Sequence, residues 1–210
     1  MDPEILRRET RAEHEATEAA MPALDHRLTR AGYLRILHGF LAALRGWDAW
    51  CAANTPLRLQ PMVAARGRTP LLVQDLEELG EAAGETTLDT TTPSFPLQLP
   101  GSASARDAAF LGALYVIEGS SLGGQWIARQ LAPSLGLTAT HGARFFHGYG
   151  PSTGRLWNEV KAELARVDDA QAETVIQAAK TTFRYVREQL AAAPPLTFAT
   201  TTPEQGSAPA

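Results

Sequence analysis

The chain has a single cysteine, Cys51, among its 210 residues. That excludes an internal disulfide framework and any metal or prosthetic-group attachment built on paired cysteines. A basic excess is also missing: 19 Lys and Arg stand against 23 Asp and Glu, for a formal net charge of −4. Nucleic-acid binders usually carry the opposite balance, so none is expected as a partner. No apolar run approaches the ~18 residues of a membrane span. Neither an internal repeat nor strand-like alternation stands out. The first residues, Met1-Asp2-Pro3-Glu4, are acidic and lead straight into a helical pattern, so no signal peptide is expected and a cytoplasmic protein is. Aromatics are scarce at 7%, while Ala, Leu and Glu abound, which suits helices better than sheets.

What is present reads as an all-α, single-domain bundle over residues 1–192 with a flexible tail over 193–210. Asp2 as cap and Pro3 at the first helical position predict a helix that stops at Pro22. Thr29 caps a second, whose apolar stripe is Tyr33, Ile36, Leu37, Phe40, Leu44, Trp47 and Cys51. A third follows Pro70 and ends at Gly80. Residues 84–103, rich in Thr, Ser and Pro, read as a long loop. A long apolar helix is expected over 104–131, another over 155–166 after a Gly- and aromatic-rich turn, and a last one over 169–192.

Gly119, Gly123 and Gly124 interrupt the long helix. Each costs about 1 kcal/mol relative to Ala there. Two readings stand: a helix end followed by a second helix, or a kink where backbone must approach a bulky ligand or another helix. The missing Lys-Ser/Thr end rules out a Walker loop.

His14 is the histidine with chemical promise. Glu18, one turn on, can accept a hydrogen bond from one ring nitrogen and leave the other fixed in direction, as a metal-binding histidine needs. No second His or Cys lies at chelating spacing, so a bare four-coordinate metal site is not expected. One protein ligand suffices where a porphyrin brings the other four. His38 points away from its helix's apolar stripe and is expected to be exposed; His26 and His141 fall in loops, and His147 in the aromatic turn. Arg7 shares the His14 face, Arg155 opens the penultimate helix, and Lys180, Arg184 and Arg187 form a basic edge beside Phe183. Most read as a solvated face, with one or two free to pair with ligand carboxylates.

The segment Leu6-Arg-Arg-Glu-Thr-Arg-Ala-Glu-His14-Glu-Ala-Thr-Glu18 resembles the proximal helix of haem oxygenases. Tyr115-Val-Ile-Glu-Gly119-Ser-Ser-Leu-Gly123-Gly124-Gln is similar to their kinked distal helix, and the turn Phe145 to Trp157 to that of bacterial members, including those that supply bacteriophytochromes. The resemblance spans roughly residues 4–192. It implies an all-α fold with haem between the two helices, His14 as axial iron ligand, and Glu18 orienting it. It implies that Gly119, Gly123 and Gly124 let the distal backbone lie against haem and O2. Phe183 would line the pocket, and Arg7, Arg155, Tyr115 and Arg184 would meet the haem edge. The implied reaction takes haem as substrate and cofactor, with O2 and electrons from a ferredoxin or flavodoxin-type donor, to biliverdin, CO and ferrous iron. Mammalian-type members carry Asp directly after the first distal Gly, where this chain has Ser120. That leaves the proton-delivery group unassigned, with backbone-held water first and Ser120 or Ser121 behind it, and keeps a non-catalytic haem carrier or sensor as the alternative. A di-iron protein of similar architecture would need Glu-x-x-His pairs on two helices, and none occurs.

Overall fold

A computed structural model describes residues 1–22, 24–25, 27–81 and 92–193, with the side chains of 131–133 left aside. His26, much of the expected 84–103 loop and the tail from 194 lie outside the described residues. The described residues are helical, with no strand beyond isolated bridges at Thr138.

Asp2 accepts a hydrogen bond from the Glu4 N–H (2.9 Å) and opens α1, Pro3–Glu9. One helix is predicted from there to residue 21, but the structure divides it: α1 ends at Thr10 and α2 is Arg11–Ala19. The Thr10 hydroxyl donates to the Leu6 carbonyl at 2.8 Å, the back-bonding that bends helices. The Thr10 N–H to Leu6 and His14 N–H to Thr10 bonds, both 3.0 Å, bridge the break. The register between Leu6 and His14 therefore survives.

Thr29 caps α3, Arg30–Asn54, by accepting from the Gly32 N–H at 3.1 Å. A short α4, Gln60–Ala64, escaped the sequence reading because five residues carry no periodicity. After it come α5, Thr69–Glu78, and α6, Ala103–Leu135. Helix α6 runs unbroken through Gly119, Gly123 and Gly124, so they do not mark a helix end followed by a second helix. Then follow α7, Arg144–His147, α8, Thr153–Ala165, and α9, Ala172–Ala192. The buried Asp75 carboxylate accepts the α7 N–H groups of Arg144 (2.9 Å) and Phe145 (2.8 Å). That bond pair ties the aromatic turn to α5.

Helix α9 is the hub, packing on α6, α3 and α2. Its core face carries Val175, Ala179, Phe183 and Val186. Close approach to α3 depends on Gly39, where a Cβ would come within 2.9 Å of Leu190 Cα. One expectation about α3 is corrected. The His38 side chain is only 9% exposed, with Nε2 3.6 Å from Glu81. Helix α3 packs on both α5 and α9, and at His38 the chain around Glu81 closes over the face opposite the apolar stripe, so pointing away from that stripe does not here mean pointing to solvent. His141, 57% exposed and 3.5 Å from Glu78, and the half-buried His147 lie where the sequence put them.

Candidate functional site

A cleft of about 1010 Å³ opens between α1 and α2 on one side and the middle of α6 on the other. Its floor is apolar: Phe40 and Leu44 from α3, Ile127 from α6, Phe146 from α7, Phe183 and Val186 from α9.

His14 stands on this cleft rather than in the packed core. Its side chain is 56% exposed, and its ring meets Phe183 edge-on, with centroids 5.7 Å apart and planes at 82°. Nδ1 lies 3.7 Å from Glu18 Oε2. That is ion-pair range but beyond a hydrogen bond, so the direct bond expected from the i,i+4 spacing is not made. Nδ1 is nevertheless the nitrogen turned to the carboxylate, and Nε2 is left for a ligand.

Of the other residues singled out from the sequence, Arg7, Tyr115, Gly119, Ser120, Gly123, Phe183 and Glu18 border the same cleft. Arg7 is extended over the rim and 3.2 Å from Glu4. Tyr115 packs on Trp157, with ring centroids 5.1 Å apart, and burial raises its hydroxyl above the usual tyrosine range. A Cβ on Gly123 would meet nothing within 4 Å, so this glycine faces open cleft; one on Gly119 would touch Trp157 at 3.5 Å.

Three expectations are corrected. Gly124 does not border the cleft: a Cβ there would sit 2.8 Å from the Phe146 carbonyl, so its role is the tight seating of α7 on α6. Arg155 lies outside it, paired with Glu159 at 2.5 Å. Arg184 is exposed and bonded to Thr181 at 3.2 Å. The reason for both is helical phase. Arg184 is turned about 100° from Phe183, and Arg155 about 200° from Trp157, the residue that α8 does present.

The sequence reading missed Trp157, Lys161, Arg8 and Arg11, all on the cleft. A signal existed for two pairs: Trp157 and Lys161 are one turn apart on α8, and Arg7 and Arg11 one turn apart before His14. The arginines are tied to neighbours, Arg8 to Glu9 at 3.0 Å and Arg11 to Glu15 at 2.7 Å. Lys161 has no ion pair among the described residues.

Behind the α6 wall lies a buried polar cluster. Arg66 (6% exposed), Arg68 (3%) and Glu118 (3%) meet there. Arg66 Nε is 3.4 Å from Glu118, and the Tyr149 hydroxyl reaches Glu118 at 3.0 Å and the Arg66 carbonyl at 2.9 Å. Arg68 Nη2 donates to Ser120 Oγ at 2.8 Å, and Ser120 donates to the Ile117 carbonyl at 2.7 Å. Burial holds the Glu118 carboxyl above the usual carboxylate range, against the pull of Arg68, Tyr149 and Arg66.

The donor set decides what the cleft can hold. Among the described residues no cluster of three His, Cys, Asp or Glu could cage a metal ion. A single imidazole over apolar walls suits a flat macrocycle that brings four ligands of its own. The rim mixes Arg7, Arg8, Arg11 and Lys161 with Glu4, Glu15 and Glu18, and its cations suit carboxylates on that ring's edge.

The comparisons with known proteins come out the same way. The family model described as "Heme oxygenase" matches residues 3–192. The heme oxygenase of Neisseria meningitidis, solved with NO and CO bound, is similar in fold: TM-score 0.66 and 21% identity, over 89% of this chain and 88% of that one. The heme oxygenase of Leptospira interrogans is similar at TM-score 0.62 and 16% identity, over 89% of this chain and 97% of that one. No curated protein matches. At these identities the structural likeness speaks for the fold alone.

Proposed function

Because this chain belongs to the haem oxygenase family and is a haem-degrading enzyme, we propose that it cleaves haem with O2 and reducing equivalents to biliverdin, CO and ferrous iron. The observation that carries this reading is His14, a lone imidazole edge-on to Phe183, facing a glycine-bearing helix across an apolar cleft.

When bound, haem supplies the iron that activates O2 and the carbon skeleton that is cut. The chain's own residues do the rest. His14 would hold the iron through Nε2, an imidazole in place of a thiolate, which would favour O–O cleavage. Glu18, 3.7 Å from Nδ1, would be the carboxylate that orients the imidazole and sets its tautomer. Gly123 leaves the oxygen side of the cleft free of a side chain. Phe40, Leu44 and Ile127 exclude water from the ring faces. Arg7, Arg11 and Lys161, on the rim of the cleft, would hold the haem propionates. A ferredoxin or flavodoxin-type reductase supplies electrons, a bacteriophytochrome is a fitting acceptor of biliverdin, and the cytoplasm is the fitting compartment. Among the described residues no helix is long and apolar enough to cross a membrane.

The test is to mix the protein with haemin, a reductant, O2 and catalase. The Soret band should decay while biliverdin absorbance grows in the red. A Soret band that persists through repeated reduction in air overturns the reaction.

A further inference from the structure

Resting on the reading of this cleft as the haem site, we propose that Ser120 is the fixed hydrogen-bond acceptor of the α6 wall. The buried Arg68 acts through it as a positioning residue, so that a water molecule in the cleft is held with one hydrogen on Ser120 and the other directed over the haem face.

Arg68 is the unusual group. It lies just before α5 with 3% exposure, where a guanidinium is ordinarily matched to a carboxylate. Arg68 forms no salt bridge among the described residues, and its buried Nε has no hydrogen-bond partner there. Asp48, Glu118 and Tyr149 lie near enough to feel its charge, but none of them bonds it directly. Asp48 on α3 accepts from Thr69 at 2.5 Å; Glu118 on α6 takes Tyr149 at 3.0 Å and Arg66 at 3.4 Å. Arg68 instead lies over the Phe145 ring, 5.2 Å from its centroid, and spends Nη2 on α6: on the Ile117 carbonyl and on Ser120 Oγ. A full positive charge is thereby built against the back of the wall that faces the cleft.

Ser120 is what connects that charge to the cleft. A hydroxyl has one proton and two lone pairs. The proton goes to the Ile117 carbonyl and one lone pair receives Arg68. The cleft is offered a lone pair and no proton, so Ser120 accepts and does not donate. A water that gives it one hydrogen must direct the other elsewhere, the orientation a proton donor needs. The cation behind stabilises negative charge that develops as that proton leaves. Ser121 cannot substitute: it is 2% exposed, and its hydroxyl donates to the Glu118 carbonyl at 2.6 Å, away from the cleft.

The readout is the C–O stretching frequency of the ferrous carbon monoxide complex of the haem-loaded full chain. Hydrogen-bond donors and positive charge near the CO oxygen lower that frequency. Ser120→Ala should raise it, Arg68→Gln should raise it further, and Ser120→Thr should return it to the wild-type value. Haem consumption should slow by at least about tenfold in Ser120→Ala, with haem affinity unchanged. An unchanged frequency in Ser120→Ala overturns the proposal, whether or not Arg68→Gln folds. So does a shift that Ser120→Thr does not reverse, because a hydroxyl at that position is what is required. If the wild-type chain forms no histidine-ligated CO complex, the haem reading itself has failed, and the proposal falls with it.

Discussion

The two walls of the cleft are built on opposite plans. The α1–α2 wall turns exposed side chains to the cleft: those of Arg7, His14 and Glu18 are 76%, 56% and 63% exposed, and their charge pairs are local and solvated. Exposed pairs of this kind contribute about 0–1 kcal/mol. The α6 wall is backed by buried guanidinium groups, by a carboxyl and by close backbone packing on α7 and α9. One wall presents its polar groups to solvent; the other holds its own in the protein interior. We read the exposed α1–α2 side as the adjustable one and the α6 side as the rigid one.

The sharpest way to break this contrast is at His14. His14→Ala should abolish the axial-ligand spectrum and lower haem affinity by more than the roughly 10–100-fold that follows loss of a residue that merely orients a ligand. Its thermal unfolding without haem should scarcely move. An unchanged haem spectrum would remove His14 from its role.

Next in size is a pair of glycines one residue apart. Gly124→Ala must push Phe146 away and should cost about 1–3 kcal/mol in urea unfolding. Gly123→Ala meets no atom within 4 Å and should gain up to about 1 kcal/mol in helix propensity, while weakening haem binding by intruding on the cleft. Equal stability changes in the two variants would mean that the wall is not divided into a packed side and an open side.

Smaller still is a dependence on pH. Burial raises the Glu118 carboxyl above its ordinary value of 4.5, so the folded state holds that proton more tightly than the unfolded state. The resulting stability is fully present below the unfolded pKa and is lost as pH rises through the raised folded value. Unfolding free energies of the wild-type chain relative to Glu118→Gln should therefore fall across the range above about 4.5. A pH-independent difference would show that Glu118 is not desolvated as the fold places it.

The smallest effects belong to the adjustable wall. Lys161→Ala should weaken haem binding a few-fold, consistent with about 1 kcal/mol for a rim charge, and change the proportions of biliverdin isomers. Glu18→Gln should alter stability by less than about 0.5 kcal/mol. It should alter the haem spectrum more than the fold, because the carboxylate acts on the imidazole only.

Local information carried much of this. The caps at Asp2 and Thr29, the stripes of α3 and α9 and the i,i+4 placement of His14 and Glu18 are written in neighbouring residues, and helices obey such rules. Even the break at Thr10 has a local cause, a hydroxyl bonded one turn back, though a periodic pattern passes over it. What could not be read was which face each helix turns to the cleft. Arg184 and Arg155 lost their assumed place there by a difference of phase, and Lys161 and Trp157 gained theirs for the same reason. His38 was misjudged because burial depends on what packs behind a helix, not on the helix alone.

The sequence by itself determined an all-helical chain and the small residues of its long helix, and it singled out one imidazole, His14, with a carboxylate one turn on. Tertiary structure alone decided the division between those small residues, Gly123 open to the cleft and Gly124 pressed on Phe146. It alone brought Arg68, fifty-two positions away, against Ser120. The reason is range: backbone preference and periodicity act over a few residues, whereas the direction of a side chain's surroundings is set by elements that meet only when the whole chain has packed.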